Sequence, residues 1–240
     1  MKTAIILVGN IRTWEKCKKN FIDSFGNEAD IFLSTYNKQY AYHPYIQQSL
    51  NFYEDNNLSE EEIKEMFREI KLSDYIIDDI ETYVEEKVKP FICSKFPKDS
   101  HLSLSQYFKL NDGLNLIKKQ EEVRGFKYDR IIKTRFDIIH NPITGIKNNN
   151  SVYVDAHGAG VFPCDWIFIS NRDNAYSINN FIMGEIKNMK NETSLIDMPH
   201  KLFLNGIKAS GGNILPISLI RTIVRASMEN QNLEIKNEIR

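Results

Sequence analysis

Apolar residues fall into short uninterrupted runs near the start of the chain. Ala4 to Val8 is one such run, as expected of a strand buried on both faces of a parallel sheet. Gly9 and Asn10 break it. From about Thr13 to Phe25 the pattern changes, and Trp14, Cys17, Phe21 and Phe25 recur at three-to-four spacing, which predicts a helix. Gly26 ends it. Asp30–Tyr36 then reads as a second strand, completing a first βαβ unit.

The segment from about 37 to 99 is rich in Tyr, Asn and Glu and poor in apolar runs. Ser59 followed by Glu60, Glu61 and Glu62 predicts a helix start, and Ser73 to Glu86 reads as an amphipathic helix before Pro90. The segment is expected to be a helical insertion between sheet strands. Leu104 to Val123 predicts a long helix with a stripe through Tyr107, Leu110, Leu114, Ile117 and Glu121, closed by Gly125. The strand Tyr128–Asp137 follows. Ser151–Asp155 and Asp165–Ser170 read as strands, with His157–Gly160 as a loop between them. A helix is expected from Asn171–Asp173 to about Met189, and another capped by Asp197 and running to Asn205. Asn213–Pro216 reads as a last short strand, before a polar tail at about 225–240. The expected fold is α/β: a mostly parallel, Rossmann-like sheet flanked by helices, as a single domain over residues 1–240.

Composition narrows the function classes. The chain has 240 residues, 42% hydrophobic and 26% charged, with net charge −1 and pI about 6.5. A nucleic-acid partner would normally bring a basic excess, so none is expected. Cys17, Cys93 and Cys164 match neither a disulfide framework nor a zinc site, and a reducing, cytoplasmic setting is the simpler expectation. No apolar run approaches the ~18 residues of a membrane span. The opening Met1–Gly9 looks superficially like a signal peptide, but Asn10–Arg12 replaces a cleavage site. Peripheral attachment to a membrane surface stays open.

Three loops carry candidate chemistry. Gly9, Asn10 and Arg12 follow the first strand, where a helix start favours phosphate. Thr134, Arg135 and Asp137 lie at the end of the Tyr128–Asp137 run. Asp165 follows the His157–Gly160 loop and Pro163. In open α/β sheets ligands sit beyond the carboxyl ends of strands, and all three loops would converge on one edge if the sheet is parallel. There an Asp can hold a cation and an Arg can neutralise phosphate. The plainer alternatives are a surface ion pair at a strand end and a salt-bridged Arg12. Arg135 and Asp137 are expected outside the core, so that replacing either spares the fold. The Gly-Lys-Ser/Thr ending of a phosphate-binding loop is missing, as is the three-glycine dinucleotide fingerprint. The five histidines show no paired metal spacing.

Val8–Gly9–Asn10–Ile11–Arg12–Thr13–Trp14, Ala29–Asp30–Ile31–Phe32–Leu33–Ser34–Thr35–Tyr36, Ser105–Gln106–Tyr107, Tyr128–Asp137 and Asp165–Trp166–Ile167–Phe168–Ile169 occur in an order that resembles bacterial and large-virus GT-A-like glycosyltransferases of surface glycans. The resemblance spans Ala4 to about Ile207. It implies sugar transfer from a nucleotide-sugar donor to a glycan or lipid-linked acceptor. In such enzymes an Asp-x-Asp element binds a divalent metal bridging the donor diphosphate. The matching position here reads Arg135–Phe136–Asp137. Asp137 is thereby implied as ligand to Mn²⁺ or Mg²⁺, with Arg135 in place of the first carboxylate. Gly9, Asn10, Arg12, Thr134 and Arg135 are implied to hold the donor. Asp197 or His200 falls where inverting members place a base, and Asp165 is implied near the acceptor. Asp197 as a simple helix N-cap is the alternative. Two rival functions are a phosphoryl or sulfuryl transferase and a non-catalytic nucleotide- or glycan-binding domain.

Overall fold

The computed structural model describes residues 1–11, 14–25, 29–39, 56–91, 98–140, 146, 149–157, 162–188, 198–217 and 221–223. The elements, in chain order, begin with β1 (Thr3–Gly9), α1 (Trp14–Phe25), β2 (Asp30–Tyr36), β3 (Lys38–Gln39), β4 (Asn56–Asn57), α2 (Glu60–Met66), β5 (Leu72–Asp78) and α3 (Ile80–Tyr83). A π-turn over Val84–Val88 and a 3₁₀ turn over Lys89–Phe91 continue α3. Then come α4 (Lys98–Arg124), β6 (Arg130–Thr134), β7 (Ile138–His140), β8 (Ser151–His157), β9 (Phe162–Asn171), α5 (Arg172–Asn188), α6 (Met198–Ser210), β10 (Asn213–Ile217) and β11 (Arg221–Ile223).

Seven strands form one sheet in the order β10-β8-β9-β6-β1-β2-β5. The pairs β1·β2, β1·β6, β2·β5 and β8·β10 are parallel, while β9 runs antiparallel to both β6 and β8. The expected mostly parallel α/β sheet flanked by helices is thus the observed one. Its faces follow the strict alternation of side chains along a strand. Ala4, Ile6 and Val8 pack with Phe32 against α4, α5 and α6. Ile5 and Leu7 pack with Ile31 and Leu33 against α1 and α2. The α4 helix crosses β1 closely at Gly113, where an added Cβ would lie 2.4 Å from Ile6 Cγ2.

Three expectations need correction. Ser73–Glu86 is not one helix, because its first part is the edge strand β5, paired with β2 from Ile31↔Leu72 to Tyr36↔Asp78. Tyr75, Ile76 and Ile77 are good strand formers, and the helix starts only at Ile80 behind an Asp79 side chain that accepts from Thr82 N. The segment 37–99 is therefore not a purely helical insertion, since it supplies a strand of the main sheet. His157 likewise belongs to β8 rather than to a loop. The Ser59 start holds, with Ser59 Oγ accepting from Glu62 N at 3.2 Å and Ser59 N donating to Glu62 Oε2 at 2.7 Å, the reciprocal cap expected of Ser-x-x-Glu. Among the described residues, no helix is long and apolar enough to cross a membrane.

Candidate functional site

The chain leaves β1 on one side through β2 to β5 and returns on the other side with β6. The order of strands therefore reverses between β1 and β6. Such a switch point opens a crevice beyond the carboxyl ends of the two strands. Gly9 ends β1 and Thr134 ends β6, with Leu7 opposite Thr134 in the register.

At the β1 side, Gly9 takes φ +105°, a conformation open to glycine. Its carbonyl accepts from Thr35 Oγ1 at 2.7 Å, which fixes the end of β1 against β2. Asn10 follows, with a buried Oδ1 that has no hydrogen-bond partner among the described residues. Ile11 is buried and anchors the loop. Arg12 lies outside the described residues.

At the β6 side, Thr134 is buried, and Arg135 Nε and Nη2 donate to Asp137 Oδ1 and Oδ2 at 2.9 and 2.7 Å. This is a two-pronged charge-assisted pair. Phe136, between them, packs edge-on against Trp14 and Phe67 at centroid distances of 6.2 and 5.9 Å. Trp14 stacks on Phe67 at 4.7 Å and donates from Nε1 to Met66 O. The aromatic group thus ties the Arg135 turn to α1 and α2. The Arg135 guanidinium also lies 5.5 Å from the centre of the Trp166 ring on β9.

The expectation that neither Arg135 nor Asp137 is core fails for Asp137, which is 1% exposed. Ion pairing with Arg135 lets the carboxylate sit under the turn. That arrangement bears on metal. An ion at Asp137 would compete with a guanidinium already bonded to both oxygens, and the described residues hold no group of three or more His, Cys, Asp or Glu that could hold a metal. The described residues do not form a preorganised Mn²⁺ or Mg²⁺ site.

Asp165 lies at the same edge, for a reason other than the one expected. The sheet is not parallel there. Because β9 is antiparallel to β6, with Lys133 opposite Phe168, it is the beginning of β9 that meets the end of β6. Only the backbone of Asp165 is described. His200 sits in the first turn of α6 and is half-buried. The far end of α6 is marked by Gly211, whose carbonyl accepts from Asn150 Nδ2 just before β8 begins. The first turn of α6 therefore points to the carboxyl edge of β8. Asp197 lies outside the described residues. The fold thus brings Gly9, Asn10, Thr134, Arg135, Asp137, the backbone of Asp165 and the turn carrying His200 to one edge of the sheet.

Three buried charged residues near this edge were missed: Lys133 on β6, Asp155 on β8 and Lys109 on α4, at 2%, 3% and 0% exposure. Asp155 carried the same signal as Asp137, a carboxylate at the end of an apolar strand. Lys133 and Lys109 carried none, since a lysine inside a strand or helix pattern ordinarily reads as solvated.

No protein-family model matches this chain, and no curated protein matches it. Solved structures do. Those it is similar to, at low identity, are glycosyltransferases. Glycosyltransferase GlyE of Streptococcus pneumoniae TIGR4, in its apo form, matches at 13% identity and a TM-score of 0.44, covering 89% of this chain. The galactosyltransferase LgtC, in complex with donor and acceptor sugar analogs, matches at 11% identity and 0.47, also over 89% of the chain. An active-site mutant of LgtC matches at 10% and 0.49. The chain spans 44% of the length of GlyE and 72% of LgtC. The likeness is one of fold, and the site stands on this chain's own residues.

Proposed function

We propose that the crevice between the ends of β1 and β6 binds the diphosphate of a nucleotide-sugar, and that the protein transfers the sugar, a hexosyl or related unit, to a glycan or lipid-linked acceptor in surface-glycan synthesis. One observation carries this reading: Arg135, held in place by Asp137, stands at the switch point opposite the Gly9–Asn10 turn. A guanidinium has five N–H donors and suits phosphate oxygens. Asp137 then orients Arg135 instead of binding an ion, and no step is assigned to Mn²⁺ or Mg²⁺.

In this reaction the bond between sugar C1 and the diphosphate oxygen breaks, and negative charge builds on the departing phosphate. Arg135, fixed before the reaction, stabilises that charge without reorganisation. Arg12 and the backbone amides after Gly9 are assigned to the same diphosphate. The acceptor hydroxyl attacks C1 and gives up its proton to Asp165, Asp197 or His200 if configuration inverts. A cytoplasmic setting and peripheral association with a membrane carrying the acceptor belong to the same proposal.

The closed Arg135–Asp137 pair favours one second reading, a nucleotide- or glycan-binding domain without catalysis. Incubation with a panel of nucleotide-sugars separates the two. Release of nucleoside diphosphate, lost in Arg135→Ala, supports the transferase. Donor binding with no turnover for any donor, with or without acceptor, supports the binding domain. A phosphoryl or sulfuryl transferase would instead consume a nucleotide lacking a sugar.

A further inference from the structure

The strand β9 departs from a regular ladder at one place. Its pairing with β8 runs through Tyr153↔Ile169 and Val154↔Phe168, then resumes at Asp155↔Cys164. Asp165, Trp166 and Ile167 therefore oppose no residue of β8. On its other side β9 pairs with β6 only as far as Lys133↔Phe168, so the same residues lie past that ladder as well. A bulge of this kind interrupts the ladder, bends its strand and re-aims a side chain. This one is anchored at its inner end, where Ile167 and Phe168 are 0% and 1% exposed.

Trp166 is the middle residue of the bulge, and its half-buried ring meets Arg135. The ring centre lies 5.5 Å from the guanidinium carbon, within the range over which a ring face attracts a cation. Asp137 meets the same guanidinium through Nε and Nη2.

These two contacts restrain different motions. A two-pronged bond fixes the guanidinium within its own plane. It resists tilting out of that plane far less, because hydrogen bonds to a carboxylate oxygen tolerate a broad range of directions. A ring beside the group blocks that tilt. The two restraints also come from separate elements, the turn after β6 and the bulge in β9.

We propose that Trp166 is a positioning residue: the β9 bulge sets its ring against Arg135, and the ring holds the guanidinium in the orientation that receives phosphate. This rests on the diphosphate reading of the β1–β6 crevice and adds what keeps its cation ready. Ordering a long side chain at the moment of binding weakens a complex. An arginine already restrained in two directions has less freedom to lose. The attraction comes from the face of the ring, so an aliphatic side chain of similar bulk cannot replace it.

The test compares Trp166→Phe, which keeps a ring face, with Trp166→Leu, which keeps only apolar bulk. Binding of inorganic pyrophosphate and of UDP, GDP, ADP and CDP to the full chain is measured by calorimetry, after circular dichroism has shown each variant folded. Trp166→Leu should weaken pyrophosphate and the preferred nucleoside diphosphate alike, by about two- to tenfold, the cost of ordering one long side chain on binding. Trp166→Phe should stay within about twofold of wild type. Should Trp166→Leu not fold, Trp166→Met takes its place, being flexible and without a ring. A urea-unfolding cycle reads the contact without any ligand: Trp166→Leu and Arg135→Ala together should cost less than the two changes summed. Equal weakening by Phe and Leu, or a Leu variant that is less stable yet binds as wild type does, would make Trp166 a packing residue and overturn the proposal. Strict additivity in the urea cycle would overturn it too. In each of these cases the diphosphate reading stands so long as wild type binds. If wild type binds neither pyrophosphate nor nucleoside diphosphate, the donor reading fails and takes this inference with it.

Discussion

Replacing Arg135 by alanine should destabilise the protein as well as inactivate it. The side chains of Arg135 and Asp137 are 19% and 2% exposed. Asp137 would lose both bonds it takes from the guanidinium while its carboxylate stayed under the turn. Removing one partner of a fully buried pair costs about 3–5 kcal/mol. An exposed pair is worth about 0–1 kcal/mol. Water already reaches the outer side of Arg135, so an intermediate cost of about 2–3 kcal/mol follows. With a urea m-value of about 3 kcal/mol per molar, the unfolding midpoint should fall by roughly 0.7–1 M. Arg135→Ala combined with Asp137→Ala should cost clearly less than the two single changes summed, because both break the same ion pair. Urea unfolding followed by tryptophan fluorescence reads all three variants, with Trp14 stacked in the aromatic group next to the turn. A cost for Arg135→Ala within about 0.5 kcal/mol, or strict additivity, would show that Asp137 does not depend on Arg135, and the orienting role given to it would fall.

Gly113→Ala should lower the melting temperature despite the helix propensity it gains, about 1 kcal/mol, because its Cβ would sit 2.4 Å from Ile6 Cγ2 and overpacking costs about 1–3 kcal/mol; an unchanged or raised melting temperature would mean that α4 does not cross β1 this closely. Burial pushes the Asp30 carboxyl up, but bonds from Tyr128, Ser73 and Arg124 outweigh it and hold its pKa below the ordinary value. A depressed carboxyl contributes stability that is whole above its unfolded pKa of about 3.9 and fades as pH falls through the folded value. Asp30→Asn should therefore flatten the fall in unfolding midpoint below about pH 4, and an unaltered acid limb would contradict those bonds. Mn²⁺ or Mg²⁺ added to the protein alone should leave its melting temperature unchanged, whereas a clear rise without nucleotide would reveal a preformed metal site.

The first βαβ unit was readable because Ala4–Val8 and Asp30–Tyr36 are buried on both faces and leave apolar runs with little interruption. The strand β5 was not. It is an edge strand, half-buried throughout, and Tyr75, Ile76, Ile80 and Tyr83 fall at spacings that also suit a helix. Strand direction leaves no mark in an apolar run, so the reversal of β9 could not be read from Ile167–Ile169. The convergence of the loops on one edge was reached from the wrong premise and holds because that reversal brings the start of β9 to the end of β6. Residues two apart on an extended chain share a side, which put a pairing of Arg135 with Asp137 within reach as the plainer alternative. Its burial depends on Trp14 and Phe67, brought from elsewhere in the chain. The buried Lys109–Asp78 ion pair joins residues 31 apart through a helix and an edge strand, a juxtaposition that only tertiary structure supplies.

The β1–β6 crevice is proposed to hold the diphosphate of a nucleotide-sugar. A crystal structure with the nucleoside diphosphate that stabilises the protein most tests it directly. Phosphate oxygens should then lie within hydrogen-bond distance of the Arg135 guanidinium and of the backbone amides after Gly9. A diphosphate bound elsewhere, with Arg135 still turned to Asp137, would contradict it.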